Sequence, residues 1–332
     1  MQKLINNPNN MVAEAISGFV KCYPKIVEYT DNKKVLKYVK APLHGKVGVV
    51  TGGGAGHDPA MYGYIGKNML DAVAVGEIFF TPSAEDFLAA FKTADSGAGV
   101  VCLYGNYKND RVAVEKAIKL AAKDGITVKT VIAKDDVAIA EKHKRRGLAG
   151  EILMWKCGGA AASLGHELDE VVRLAQKAIN ATRSIGVGLA SCIIPMVGGP
   201  NYVIEEGTME IGIGHHGAAS FDTCKLKTAD ATAEIMINAI LADMPLKEGQ
   251  EAAVLVSGMG NTMLIELNII YSKIYDILKN HKIKVVHSGI GNYFTSLDMM
   301  GATVTVMKLD EELKRLMDVP VITPALKGFN QE

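Results

Sequence analysis

The chain has 332 residues, 48% of them hydrophobic and 22% charged, which is enough to build two domains with buried cores. Lysine plus arginine equals aspartate plus glutamate at 36 each, so bulk charge draws the protein to neither nucleic acid nor a membrane surface. No apolar run reaches transmembrane length, and the opening MQKLINNPNNM lacks the apolar core of a signal peptide, so a cytoplasmic protein is expected.

In chain order, VGVVTGGGAG reads as a buried strand running into a glycine turn. The helical pattern DFLAAFKTAD follows it. GVVCLYGN repeats the strand-and-turn form. VAVEKAIKLAAKDG is a second helix, closed by Gly125. TVKTVIA reads as a third strand and EILMWKCG as a fourth. KHKRRG (142–147), with five basic residues in succession, reads as a solvated loop. SLGHELDEVVRLAQKAINATRS predicts one long amphipathic helix capped by Ser163. Strands alternating with helices through short loops imply an α/β domain with a largely parallel sheet.

Beyond it the texture becomes glycine-rich. IGVGLASCIIP and MEIGIGHHG are strand-like, and TADATAEIMINAILADM is helical. AAVLVSGMGNT, IKVVHSG and TVTVMKLD are strands, with the helix LIELNIIYSKIYDILKNHK between the first two. This predicts a second α/β domain with a mixed sheet and a boundary near Ser184, dividing the chain into 1–184 and 185–332. The five cysteines form no C-x-x-C pair and read as reduced, packed thiols. No metal and no cofactor are expected.

Gly212-Ile213-Gly214-His215-His216-Gly217 fits G-x-G-x-x-G. A dinucleotide turn needs a helix directly after the motif to receive the pyrophosphate. AASFDTCKLK has no early helical stripe, and both variable positions carry imidazole. No phosphate-binding G-x-x-x-x-G-K-[ST] occurs, so any nucleotide must come from another protein. Thr51-Gly52-Gly53-Gly54-Ala55-Gly56-His57-Asp58-Pro59 is more informative. It lies at the carboxyl end of a strand, where open α/β sheets bind ligands. The run is either a plain tight turn or a set of bare amides facing an oxygen-rich ligand. His57 there, and Asp110 at another strand end, favour a small polar ligand. His215 reads as a partly exposed loop histidine.

GGGAGHDP, GEIFFTP, GNYKND, RRGLAGEILMWKCGGAAASLG, EIGIGHHG and YFTSLDMMGATVTVMKLD occur in an order that resembles the dihydroxyacetone-binding K subunits of the dihydroxyacetone kinases. The resemblance runs from KLINNP to PVITPAL. It implies a homodimer of two-domain protomers and a histidine that adds to the ketone of dihydroxyacetone as a hemiaminal. His216 matches that histidine. Gly54, His57, Asp110 and Thr81 match ligand-facing positions, with His57 and Asp110 sharing the chemistry.

The departures are specific. A ligand-facing lysine of the family is Gly105 here, and a Glu-Pro pair after the covalent histidine is Ala218-Ala219. Loss of a lysine near a transferring phosphate harms phosphoryl transfer more than ketone capture. The pattern is most similar to a dihydroxyacetone-binding coactivator paralogue that serves a TetR-type regulator of the kinase operon. It implies that regulator as partner, with no direct contact to DNA. The alternative is a working K subunit that receives phosphate from an ADP-carrying L subunit.

Overall fold

Apolar strands alternating with amphipathic helices fold into a layered α/β unit, and the chain builds two of them. The computed structural model describes residues 2–200, 202–217 and 222–329. The first unit contains α1 (Met11–Cys22), β1 (Val27–Tyr29), β2 (Val35–Tyr38), β3 (Gly48–Ala55), β4 (Ala72–Ile78) and α2 (Ala84–Ala94). It continues through β5 (Val100–Gly105), α3 (Lys108–Lys123), β6 (Val128–Ala133), α4 (Gly150–Ser163) and α5 (Leu168–Asn180). Its sheet has the order β1-β2-β4-β3-β5-β6. The last four strands in that order are parallel, and β2 and β1 extend the edge antiparallel.

The second unit contains β7 (Thr182–Ala190), the short pair β8 (Ile193–Ile194) and β9 (Gly199–Pro200), β10 (Thr208–Ile211), β11 (Asp222–Lys225) and α6 (Ala229–Asp243). It closes with β12 (Glu251–Gly258), α7 (Leu264–Asn280), β13 (Lys284–Gly291), β14 (Met300–Leu309) and α8 (Glu311–Asp318). Its main sheet, β11-β10-β7-β14-β12-β13, is mixed: only β12 and β13 run parallel. No described helix is long and apolar enough to cross a membrane.

Four local readings of the sequence are corrected. EILMWKCG is not a strand: it lies inside α4, buried from Gly150 to Ala162. A helix enclosed on every side carries no polar stripe, so its pattern cannot be told from that of a buried strand. Gly159 permits the enclosure, since a Cβ there would stand 2.4 Å from the Met69 Cα. Ser163 does not cap a long helix. It ends α4, Gly165 turns the chain at a φ of +81°, and α5 starts only at Leu168.

The glycine run is strand rather than turn. β3 carries Gly52, Gly53 and Gly54 in extended conformation, and the chain turns only beyond it, at Gly56 with a φ of +97°. The missing side chains make room for neighbours. A Cβ on Gly52 would meet the Phe87 ring at 2.6 Å, and one on Gly53 would meet the Met61 side chain at 2.5 Å.

KHKRRG is not simply a solvated loop. Lys142, His143 and Lys144 are exposed, but Arg145 is 3% exposed. The Arg145 guanidinium donates to both carboxylate oxygens of Asp243 at 2.9 and 2.6 Å, pinning the end of α6 to the loop before α4. Arg146 donates to Asp136 at 2.7 Å and to the Gly212 carbonyl at 2.8 Å. These contacts tie the histidine-bearing turn of the second unit to the first.

The hydrogen bonds from Arg145, then those from Arg183, hold the Asp243 carboxyl well below the usual carboxylate range. Stability from this pairing is therefore present above the ordinary carboxylate pKa and lost as pH falls through the depressed one. Asp243→Asn at neutral pH leaves Arg145 buried with a neutral partner, which should cost about 1.5–3 kcal/mol. Urea unfolding followed through Trp155, the sole tryptophan and fully buried, reads the change. An unaltered midpoint would contradict the stapling role.

Candidate functional site

The first unit brings His57 to the site just past the carboxyl end of β3. The loop between β13 and β14 closes over this turn. Thr295 N donates to the His57 carbonyl at 3.1 Å, and Leu297 N donates to the Gly56 carbonyl at 2.7 Å. The Thr295 carbonyl in turn lies 2.7 Å from His57 Nδ1. A carbonyl only accepts, so His57 Nδ1 carries the hydrogen and Nε2 keeps a lone pair.

That lone pair faces His216 Nε2 at 2.9 Å. Since His57 Nε2 accepts, His216 Nε2 is the donor. Burial, then the neighbouring His216, lowers the His57 pKa to about 3. Burial, then the Arg146 charge, lowers His216 to about 4. Both rings are thus neutral at pH 7, as a nitrogen nucleophile must be.

The His216 ring is held by aromatic neighbours. Phe79 and Tyr107 each stand 5.0 Å from it, centroid to centroid, and His57 stands at 4.9 Å. Phe79 takes up this position with a left-handed φ of +59°. His215 is not the partly exposed residue that the sequence suggests. It is 1% exposed, stacks on Phe294 at 4.6 Å and 13°, and has Nε2 3.1 Å from Thr303 Oγ1. Its carbonyl accepts from Ser296 Oγ. His215 therefore fixes the turn from which His216 projects.

Asp110 lies in the first turn of α3 and accepts from Thr81 Oγ1. Burial raises its pKa to about 6, against which the Thr81 bond acts. It is an accepting carboxylate at neutral pH with some basicity gained. Two spaces adjoin His216. An outer cavity of about 200 Å³ is lined by Gly54, Phe79, Thr81, Tyr107, Lys108, Asn109, Asp110 and His216. An inner one of about 20 Å³ is shared by Gly54, His57, Tyr107, Asp110, His216 and Glu151. The structure thus brings together His57, His216, Asp110, Gly54 and Thr81 from both units. Ala218 and Ala219 lie outside the described residues.

Glu151, in the first turn of α4, was not legible as a site residue. Its side chain fills the space beside Gly105: a Cβ on Gly105 would stand 2.4 Å from Glu151 Oε1. Asp135 accepts from Leu148 N and Gly150 N at 3.1 and 3.0 Å, just before and at the start of α4. Burial, then Asp135 and Asp110, pushes the Glu151 carboxyl well above its ordinary pKa. Among the described residues, no group of three or more His, Cys, Asp or Glu is arranged to hold a metal ion.

Residues 17–325 match the Dak1 domain family. The chain belongs to the Dak1 family. It is 36% identical over 329 residues to "PTS-dependent dihydroxyacetone kinase 2, dihydroxyacetone-binding subunit DhaK" of Listeria innocua, covering 98% of this chain and 99% of the relative. It is 37% identical over 330 residues to a D-erythrulose kinase of Mycolicibacterium smegmatis, covering 98% of this chain and 57% of that larger protein. Among solved structures, "Dihydroxyacetone kinase operon co-activator Dha-DhaQ" superposes with a TM-score of 0.90 at 30% identity, covering 96% of this chain and 99% of that one. The two-domain α/β architecture is therefore that of the Dak1 family.

Phe79, Tyr107, Thr295 and Glu151 escaped a residue-by-residue reading. The aromatic residues sit inside GEIFFTP and GNYKND, motifs quoted for other residues. Thr295 acts through its backbone, which leaves no side-chain signal. Glu151 hides in a stretch whose apolar run dominates.

Because both imidazoles resist protonation, the folded protein binds fewer protons than the unfolded chain below pH 6.5. Stability should fall as pH drops from about 6.5 towards 4. NMR of ring-labelled histidine should show His57 and His216 unchanged from pH 8 to 5. A titration step near 6.5 at either ring would contradict the neutral pair.

Proposed function

We propose that this protein captures dihydroxyacetone as a hemiaminal on His216. We assign it the role of ligand-sensing coactivator for a TetR-type regulator of a dihydroxyacetone kinase operon. It acts as a cytoplasmic homodimer that touches the regulator rather than DNA. The His57–His216 contact supports the chemistry. His57 Nε2 takes the hydrogen from His216 Nε2, and the N–H bonding pair left in the ring plane on His216 Nε2 forms the bond to the ketone carbon. The carbonyl π pair moves onto oxygen, which takes that proton back from His57. The net step adds N–H across C=O, with no atom left over and no external acid. The Thr295 carbonyl holds the other hydrogen on His57 Nδ1, so the proton that Nε2 takes up is the one it returns. Asp110 accepts from one ligand hydroxyl, and the Gly54 backbone and Thr81 border the same outer cavity.

The coactivator role rests on the resemblance, which puts Gly105 where kinase subunits carry a ligand-facing lysine, and on one observation: the Glu151 carboxyl occupies the neighbouring space. A cation that would stabilise a transferring phosphoryl group is replaced by a neutral or negative one. Hydroxyketone capture needs no such cation.

A second reading, the K subunit of a phosphotransferase-dependent kinase, has its own support. Asp110 keeps a base with a pKa of about 6, and Lys108 lines the outer cavity. The Listeria innocua relative is a dihydroxyacetone-binding subunit of a dihydroxyacetone kinase. Purified protein, dihydroxyacetone and an ADP-loaded L subunit separate the two readings. The coactivator reading expects turnover at least ~100-fold below that of a K subunit bearing the lysine. Comparable turnover would establish the kinase reading instead. Restoring the lysine alone at Gly105 sets it against Glu151, so the gain-of-function test is Gly105→Lys with Glu151→Ala.

Capture has a direct readout. Dihydroxyacetone labelled with ¹³C at its carbonyl should move from the ketone to the tetrahedral region of the spectrum on binding. His216→Ala should abolish that shift while Trp155 fluorescence stays native. A tetrahedral signal that survives His216→Ala would refute the assignment. Asp110→Asn should weaken binding by roughly 1–3 kcal/mol through the loss of one charged hydrogen bond, measured by calorimetry.

A further inference from the structure

The inner cavity contains a polar group that the capture chemistry leaves idle. Glu151 is 1% exposed, and its Oε2 has no hydrogen-bond partner among the described residues. A buried carboxyl oxygen without a partner costs on the order of 1–3 kcal/mol, so one that lines a ligand cavity calls for a ligand atom. The cavity it lines also carries His216, His57 and Asp110. Its volume of about 20 Å³ is close to the minimum that admits a single water-sized group. The outer cavity is about tenfold larger, at about 200 Å³.

We infer that Glu151 determines ligand selection: its Oε2 hydrogen-bonds the hydroxyl of a hydroxymethyl group that enters the inner cavity from the ketone carbon held at His216. This rests on the ketone-capture reading and extends it. The ketone at His216 has two arms. One arm points inward and is limited to –CH2OH, whose terminal hydroxyl is the one water-sized group that the inner cavity admits. The other arm points to the outer cavity, where Asp110 waits and where longer or substituted chains have room. The ligand class is HOCH2–CO–R, with R open to variation.

The partner chemistry matches. Burial, then Asp135 and Asp110, favours the neutral form of the Glu151 carboxyl, and a neutral carboxyl both gives and receives a hydrogen bond. A hydroxyl does the same. A methyl group in that place would leave Oε2 unpaired. A carboxylate would put a second anion beside Asp110 with no cation among the described residues that line the inner cavity. Gly105 completes the arrangement, since any side chain there would press on Oε1.

The test compares dihydroxyacetone with hydroxyacetone, whose one hydroxyl can satisfy Glu151 or Asp110 but not both. Calorimetry gives the affinities, and the ¹³C ketone signal of labelled ligand is followed in the same samples. Wild-type protein should prefer dihydroxyacetone by on the order of 10- to 100-fold. Glu151→Met turns the inner cavity apolar, so hydroxyacetone can bind methyl-inward with its hydroxyl on Asp110. The preference should then fall at least tenfold. Glu151→Gln, which still donates and accepts, should stay within about threefold of wild type. Glu151→Leu is a second apolar replacement, read as Glu151→Met is. Trp155 fluorescence confirms folding of each variant.

A preference unchanged in Glu151→Met or Glu151→Leu, with the tetrahedral signal intact, overturns the role of Glu151 and leaves ketone capture standing. Equal wild-type affinity for the two ketones overturns it without any variant. A wild-type protein that binds dihydroxyacetone but gives no tetrahedral signal overturns the capture reading itself, and the inference with it.

Discussion

A single hydrogen bond, from His57 Nδ1 to the Thr295 carbonyl, sets the chemistry of this site. It decides which nitrogen of His57 carries the hydrogen, and thereby which atom faces His216. With the lone pair of His57 Nε2 directed at His216, the second imidazole is held with its own hydrogen pointing at an acceptor. The pair becomes a nucleophile joined to its base. Had Thr295 presented a donor, His57 Nε2 would carry the hydrogen and His216 Nε2 would be the acceptor, reversing the direction of the contact. Burial completes the effect by keeping both rings neutral over the physiological range.

This bond spans two folding units, so the site depends on how they are joined. Thr295 reaches His57 from the loop between β13 and β14, while His216 follows β10 of the same unit. Arg146 belongs to the segment before α4, yet binds Asp136 on one side and the Gly212 carbonyl on the other. Arg145 repeats the device with Asp243. The enclosed helix α4 supplies the rigid floor, and Glu151 in its first turn forms part of the site wall. One short basic segment thus does the work of positioning, through its arginines, that its composition hides.

The broad architecture was legible because it follows from periodicity. Strands ending in glycine, alternating with helices such as VAVEKAIKLAAKDG, gave a parallel sheet, and the later texture gave a mixed one. Errors fell where burial removed the pattern. α4 has no polar face, so EILMWKCG looked like a strand. The run Gly52–Gly54 looked like a turn because its glycines serve close packing by Phe87 and Met61 rather than reversal. His215 and Arg145 looked exposed because polar residues usually are; here each is buried against a specific partner. At the site, His57, His216, Asp110, Gly54 and Thr81 were found through motif resemblance. Thr295 acts through a carbonyl, and Glu151 through a cavity that exists only in three dimensions.

The central claim is a bond between His216 Nε2 and a ketone carbon, made possible by the His57 lone pair. A high-resolution crystal structure with dihydroxyacetone bound tests it most directly. The account predicts continuous density from His216 Nε2 to the central carbon, tetrahedral geometry there, and the former carbonyl oxygen within hydrogen-bond distance of His57. Planar dihydroxyacetone lying free of His216, or bonded to a different residue, would contradict it.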